Sequence, residues 1–331
     1  MKIIIDRAIP FIEGVLEPFA QVEYHDGMAI NPDVVKDASA LITRTRTLCN
    51  RELLSGSSIK AICSATIGFD HIDIPACEAL GIEVRRAAGC NARAVLQWFA
   101  ASIKYLCQER GWTPQGRTVG VVGVGNVGSL VAQYAQLWGF NVLCCDPPRA
   151  ERESDFASMD LEQMLPLCDV VTFHTPLDSS TFHMLDNKRV ALLPKGGVIF
   201  NSSRGGVLST EALLASGRDY VLDVWEGEPD VSKELLDRAL IATPHIAGYS
   251  IQGKARATAM VVNALSHIFE LPLKEWRPDI EWGESCLISW KEMLSTIDNY
   301  FDIKALSDKL KSSPEEFESM RSCYHYRTDY F

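Results

Sequence analysis

Short apolar runs alternate along most of the chain with segments whose apolar positions recur at helical spacing, a pattern that predicts parallel sheets covered by helices. Up to Arg86 the runs KIII, ALIT, IKAICSA and IEVRR read as strands, and ACEAL before Gly81 reads as a short helix closed by glycine. The segment NARAVLQWFAASIKYLCQERG follows, with Asn91 placed to cap it, Val95, Phe99, Ile103 and Leu106 at helical spacing, and Gly111 at its end. Such a helix is long enough to link two domains. A second series, TVGVVG, NVLCCD, VVTFH, GGVIFNSS, YVLDVW and LIATPH, supplies the strands of a doubly wound nucleotide-binding sheet. After His245 the pattern changes to one long helical segment, YSIQGKARATAMVVNALSHIFELP, ended by Pro272 and read as the chain returning to the first domain. Beyond residue 280 the strand–helix rhythm stops, and the tail reads as a small helical appendage. The expected boundaries are 1–92, 93–248, 249–280 for the return helix and 281–331 for the tail.

Composition narrows the functional classes. A chain of 331 residues, 47% hydrophobic, can bury the cores of two domains, and a net charge of −11 argues against a general polyanion binder. The N-terminal MKIIID is too short in apolar residues for a signal peptide, and nothing later reaches membrane-spanning length, so a cytoplasmic protein is expected. The ten cysteines are scattered without a C-x-x-C pair and read as reduced core residues, Cys90 less clearly so because it precedes a helix in a glycine-containing loop. The histidines show no metal-site spacing, and no metal is expected. His174 ends a strand where it borders a nucleotide site, His71 belongs to a turn or helix start, and His25, His183, His267 and His325 read as solvated or structural.

Candidate chemistry begins in TVGVVGVGNVGSLVAQYAQLWGF, where Gly123, Gly125 and Gly128 form G-x-G-x-x-G between an apolar strand and an amphipathic helix. The glycines permit a tight turn, close approach of a pyrophosphate and close helix–strand packing, while the helix N-terminus attracts negative charge. Asp146 ends the next strand, where a carboxylate can bond ribose hydroxyls and repel a 2′-phosphate; this favours NAD over NADP, with Arg149 nearby as the opposing signal.

Three later strand ends carry polar residues that folding alone does not require: Arg204 in NSSRGG, Asp223 and Glu228 in LDVWEGEPD, and His245 in TPHIAG. Ligands bind outside the carboxyl ends of strands in open α/β sheets, so the three segments can converge. Oxidising a 2-hydroxy acid needs a base for the hydroxyl proton, a cation for the carboxylate and a hydride acceptor. Histidine suits the first role, an arginine fork the second, and a carboxylate beside the histidine would orient it. Taken singly, each residue also fits a salt bridge, a solvated acid or a strand-end hydrogen bond.

The segments SATIGFDHID, AGCNA, GVVGVGNVG, CDPPRA, TFHTPL, LDVWEGEP and TPHIAGYSIQGKAR resemble the D-isomer-specific 2-hydroxyacid dehydrogenases over roughly residues 1–280. GCNA, CDPPRA and HIAGY with GKAR point to a branch that acts on a small phosphorylated 2-hydroxy acid. The resemblance implies an α/β protein with two doubly wound parallel sheets, a flavodoxin-like substrate domain and a Rossmann-type NAD domain, with a short C-terminal appendage. It implies that Arg204 binds substrate, Glu228 pairs with His245, and His245 exchanges the proton. It further implies NAD contacts at Gly123, Gly125, Asn126, Val127, Gly128, Asp146, Thr175, Ser202, Ser203, Arg204, Asp223 and Gly248, and substrate contacts at Thr45, Thr66 and Tyr249. Thr66, Ile67 and Gly68 form a loop whose amides suit a carboxylate, and Arg44, Arg46, Lys254 and Arg256 are the basic candidates for the phosphate. A homodimer is implied, no nucleic acid or membrane. Two departures stand out: Thr45 takes the place of a serine, and the tail after residue 280 is shorter than the branch's dimerisation domain. The alternatives are a general 2-hydroxyacid dehydrogenase or 2-ketoacid reductase, and a non-catalytic NAD-sensing binding protein.

Overall fold

The computed structural model describes residues 1–283 and 286–331. The chain divides into two units, Met1–Asn91 with Ile251–Trp282, and Ala92–Ser250 with Gly283–Phe331.

In the first unit β1 (Lys2–Asp6), β2 (Gln21–His25), β3 (Ala40–Thr43), β4 (Ala61–Ser64) and β5 (Glu83–Arg86) form a parallel sheet in the order β2-β1-β3-β4-β5. This is the flavodoxin-like doubly wound order. Alternation along β1 splits the core: Ile4 packs on one face with Leu41 and Ile62, while Ile3 and Ile5 pack on the other with Ile42, Val261, Val262 and Leu265. Those last three residues lie on the helix Ile251–Ile268, and each fully buried aliphatic side chain contributes roughly 1.5–3 kcal/mol. The helix thus closes the unit from a distant stretch of sequence. It ends at Ile268, short of Pro272, and Glu270 just beyond it takes a positive φ of 54°.

Strand β2 escapes the sequence reading because QVEYH carries too few apolar residues to mark it. It is an edge strand, none of its residues is fully buried, and its pairing with β1 depends on backbone bonds in register from Lys2–Gln21 to Asp6–His25. Asn91 is not the helix cap expected of it, since its Oδ1 is a buried atom without a hydrogen-bond partner.

The second unit holds β6 (Thr118–Val122), β7 (Asn141–Cys145), β8 (Val170–Phe173), β9 (Val198–Asn201), β10 (Asp219–Leu222) and β11 (Ile241–Ala242), parallel throughout. Their order is β11-β10-β9-β8-β6-β7, so the winding reverses at β6. The Met159 amide bonds the Cys144 carbonyl at 2.8 Å, yet no further strand forms outside β7 among the described residues. Helices Ala92–Arg110 and Asn126–Trp138 cover one face, where Trp98, Phe99 and Trp138 pack with Val121 and Phe200. The C-terminal segment belongs to this same core: Met293, Ile297, Phe301, Ile303 and Phe331 are buried in it. Lys104 ties the tail down, its Nζ donating to the Leu294 carbonyl at 2.7 Å and to Asp298 Oδ2 at 2.6 Å.

None of the ten cysteines forms a disulfide, and eight of them are at least partly buried. Among the described residues no helix is long and apolar enough to cross a membrane, and no cluster suits a metal ion.

Candidate active site

Every site residue expected in the second unit follows the carboxyl end of a strand or lies in the helix start beyond it. The glycine loop follows β6, Asp146 follows β7, Thr175 follows β8, Ser202 to Arg204 follow β9, Asp223 and Glu228 follow β10, and His245 to Tyr249 follow β11. The strands end sooner than their apolar runs suggested. Past Asn201 at the end of β9 and Leu222 at the end of β10, polar groups bond to one another, Ser203 to Asn201 and Thr243 to Asp223.

The three glycines of the loop have three different uses. At Gly123, φ is 81° and a Cβ would come within 2.9 Å of the His174 backbone and Thr175 Cγ2. At Gly128 a Cβ would sit 2.0 Å from the Gly123 carbonyl oxygen, so this glycine lets the helix start lie directly on the turn. At Gly125, which precedes the helix Asn126–Trp138, nothing lies within 4 Å of that position. The open side faces away from the protein's own atoms at a helix N-terminus, the geometry that receives a pyrophosphate. Asp146 closes the loop: Oδ2 accepts from the Val124 amide at 2.7 Å and Oδ1 from the Arg149 amide at 2.9 Å. The Arg149 guanidinium is tied down, donating to the Val124 carbonyl, Ser129 Oγ and Glu153. Two further buried atoms, Thr175 Oγ1 and Ser202 Oγ, have no hydrogen-bond partner and are available to a ligand at these strand ends.

Beyond β9, Ser203 Oγ donates to Asn201 Oδ1 at 2.8 Å, and Asn201 Nδ2 donates back to the Arg204 carbonyl at 2.9 Å. This loop fixes the backbone of Arg204, whose Nη1 donates to the Ser203 carbonyl at 2.7 Å. Gly205 completes the turn, since a Cβ there would sit 2.1 Å from the Trp225 carbonyl group.

His245 and Glu228 meet. The His245 Nδ1 lies 2.8 Å from Glu228 Oε1 and 3.0 Å from Oε2, with the side chains about a quarter and a fifth exposed. A carboxylate at Nδ1 fixes the ring and directs Nε2 to the chemistry. The sequence did not foretell that His245 has φ 56°, in the left-handed region.

Asp223 lies beneath this histidine, 1% exposed. Its Oδ1 accepts from Thr243 Oγ1 at 2.6 Å and from the Ile246 amide at 2.8 Å, and its Oδ2 accepts from the Ala247 amide at 2.9 Å. Its carbonyl receives the His245 amide at 2.8 Å, and Trp98 Nε1 donates to the same Thr243 hydroxyl at 2.9 Å. Burial pushes the Asp223 carboxyl above its ordinary range, against the pull of His245 and the three donors. Its carboxylate thus holds the backbone of the histidine loop. His174 Nε2 lies 3.0 Å from Thr172 Oγ1.

Tyr249 packs edge-on against Tyr324 and Tyr326 of the C-terminal segment, at centroid distances of 6.1 and 5.9 Å. Arg327 of that segment donates to the carbonyls of Ile246 and Ala247. Sequence reasoning missed these neighbours because it treated the tail as an appendage; the aromatic density of CYHYRTDYF was the available signal.

The remaining expected residues lie in the first unit. Thr45 is exposed; Thr66 Oγ1 shares a 2.7 Å hydrogen bond with Ser64 Oγ and donates to the Gly68 carbonyl at 3.1 Å, and Ser64 is 3.4 Å from His71 Nε2. Arg44 donates to the Ala8 carbonyl and Arg256 to the Cys90 carbonyl.

The family described as D-isomer specific 2-hydroxyacid dehydrogenase, NAD binding domain, matches residues 91–247. The chain is 43% identical to an erythronate-4-phosphate dehydrogenase of Bacteroides fragilis over 99% of this chain and 97% of the relative. The chain belongs to the D-isomer-specific 2-hydroxyacid dehydrogenases. A dehydrogenase of Proteus mirabilis with the same name is 40% identical, but the match covers 80% of this chain and 73% of that one. Among solved structures, a D-lactate dehydrogenase from Aquifex aeolicus complexed with NAD and lactic acid shares the fold, with a TM-score of 0.69 and 24% identity over 83% of this chain and 97% of that one. Family membership makes the chain an NAD-dependent dehydrogenase, and the non-catalytic alternative gives way. The open side of the glycine loop and the orphaned Thr175 and Ser202 hydroxyls fit the dinucleotide.

Proposed function

We propose that this dehydrogenase oxidises 4-phospho-D-erythronate at C2 to (R)-3-hydroxy-2-oxo-4-phosphobutanoate, a step toward pyridoxal 5′-phosphate (vitamin B6). The observation that carries the reading is the similarity to relatives named for this substrate, which at 43% identity covers 99% of this chain, the C-terminal tail included. The His245–Glu228 pair supports the chemistry.

NAD, when bound, supplies the acceptor for the C2 hydride. Gly123, Gly125, Asn126, Val127 and Gly128 would hold its pyrophosphate and Asp146 its ribose, with Thr175, Ser202, Ser203 and Gly248 as further residues that would hold it. His245 Nε2 takes the proton of the C2 hydroxyl. Glu228, bonded to Nδ1, keeps the ring in the accepting tautomer and stabilises the imidazolium that results. Arg204 holds the substrate carboxylate by its guanidinium fork and offsets negative charge on the C2 oxygen. Asp223 acts through the backbone of the histidine loop. Thr45, Thr66 and Tyr249 contact substrate, and the phosphate falls to the basic group Arg44, Arg46, Lys254 and Arg256. The enzyme works as a homodimer in the cytoplasm, a reducing compartment consistent with ten cysteines that form no disulfide.

The test is turnover of purified enzyme with 4-phospho-D-erythronate and NAD, and of the reverse pair, beside glyoxylate and hydroxypyruvate. The reading predicts a strong preference for the phosphorylated pair. Turnover of the unphosphorylated ketoacids alone would assign the chain to general 2-ketoacid reduction.

A further inference from the structure

A histidine in the left-handed region has an unfavourable backbone, and it keeps that conformation only where its surroundings over-determine it. His245 is such a residue, at φ 56°. One side of its loop is explained by Asp223, which accepts the amides of His245, Ile246 and Ala247. The other side is held from a part of the chain that the chemistry has not used. Arg327, 6% exposed, donates through Nη1 to the Ile246 carbonyl at 3.1 Å and through Nη2 to the Ala247 carbonyl. Nη2 also donates to the Ala94 carbonyl at 2.7 Å, and Nη1 to the Tyr324 hydroxyl at 3.3 Å. The guanidinium lies 4.2 Å from the centre of the Phe301 ring. Neighbouring contacts keep the segment in place: Ser250 and Arg327 form a parallel backbone bridge, and Gln97 Nε2 donates to the Thr328 carbonyl at 3.1 Å.

We propose that Arg327 is a positioning residue for His245: its guanidinium fixes the carbonyls of Ile246 and Ala247 while Asp223 fixes their amides, so the C-terminal segment holds the proton acceptor in its left-handed conformation. The loop has a carboxylate on its donors and a guanidinium on its acceptors, both buried. An arginine suits this place because one planar group reaches the loop carbonyls and the helix carbonyl of Ala94 together. A lysine would keep the charge but not the span. The tail is therefore part of the active centre, and its removal would act on the chemical step as well as on stability. The inference rests on the reading of His245 as proton acceptor.

The experiment compares full-length wild type with Arg327→Met, Arg327→Lys, Lys104→Met and His245→Ala, measuring kcat, KM for both substrates and thermal stability. Misplacing a reacting group by about 1 Å costs on the order of 100-fold, so Arg327→Met should lose about that much kcat with KM for NAD changed by less than about threefold. Arg327→Lys should recover part of the loss. Lys104→Met removes a different buried anchor of the same tail, and it should lose thermal stability while keeping kcat. If Arg327→Met keeps wild-type kcat, or falls only in step with Lys104→Met, the proposal is overturned. If Arg327→Met gives no folded protein, Arg327→Lys decides: a kcat drop of about tenfold at constant KM for NAD supports it, and unchanged kcat overturns it. Retained turnover in His245→Ala would instead refute the underlying reading, so the two failures are distinguishable.

Discussion

Replacing Glu228 with glutamine tests how much of the histidine's competence comes from its partner. The carboxylate accepts at 2.8 and 3.0 Å from one nitrogen, and the side chain is only about a fifth exposed, so solvent does not replace it readily. A charge-assisted hydrogen bond contributes about 1.5–3 kcal/mol and a neutral one about 1, so the substitution should remove roughly 0.5–2 kcal/mol of support for the imidazolium. At about 1.4 kcal/mol per decade that is a loss of roughly 2–30-fold in kcat. If the glutamine presents its amide nitrogen to Nδ1, the opposite tautomer is favoured and the loss grows toward about 10⁴-fold, as in other histidine–carboxylate pairs. The assay is steady-state NADH formation at saturating substrate, with NAD affinity measured separately by fluorescence titration. Affinity should hold, because Glu228 touches the histidine rather than the glycine loop. A kcat indistinguishable from wild type would show that the pair is structural.

Two further substitutions probe the loops around the site. In Gly128→Ala the new methyl would lie 2.0 Å from the Gly123 carbonyl oxygen, so the helix must shift from the turn; NAD affinity should fall by about tenfold or more in titration, and unchanged affinity would separate this loop from cofactor binding. In Gly205→Ala the methyl meets the Trp225 backbone at 2.1 Å, so thermal unfolding should show about 1–3 kcal/mol of destabilisation together with a rise in KM for the hydroxy acid as Arg204 is displaced.

The sequence made the sheet strands legible where their apolar residues face two covered sides, as in β3, β4, β8 and β9, which are buried along their whole length. It concealed β2, whose stability comes from backbone pairing at an edge and leaves little trace in side-chain pattern. The candidate site residues were legible because strand ends concentrate polar groups that the core does not need. The dependence of His245 on Asp223 was harder to see, since nothing local in LDVWEGEPD shows that this carboxylate accepts from two amides and a hydroxyl of the segment that carries His245. Arg327 was not legible at all. Its role joins positions 81 and 80 residues apart in sequence, and nothing local in a short tyrosine-rich tail says which carbonyls it will meet.

The central claim, that this chain transfers a proton through His245 while oxidising a phosphorylated 2-hydroxy acid with NAD, is tested most directly by His245→Ala in single-turnover NADH formation from 4-phospho-D-erythronate. The account predicts that NAD binds the variant as it binds wild type and that the chemical step slows by about 10²–10⁴-fold, the usual contribution of a positioned general base. Wild-type rates of NADH formation in the variant would contradict it.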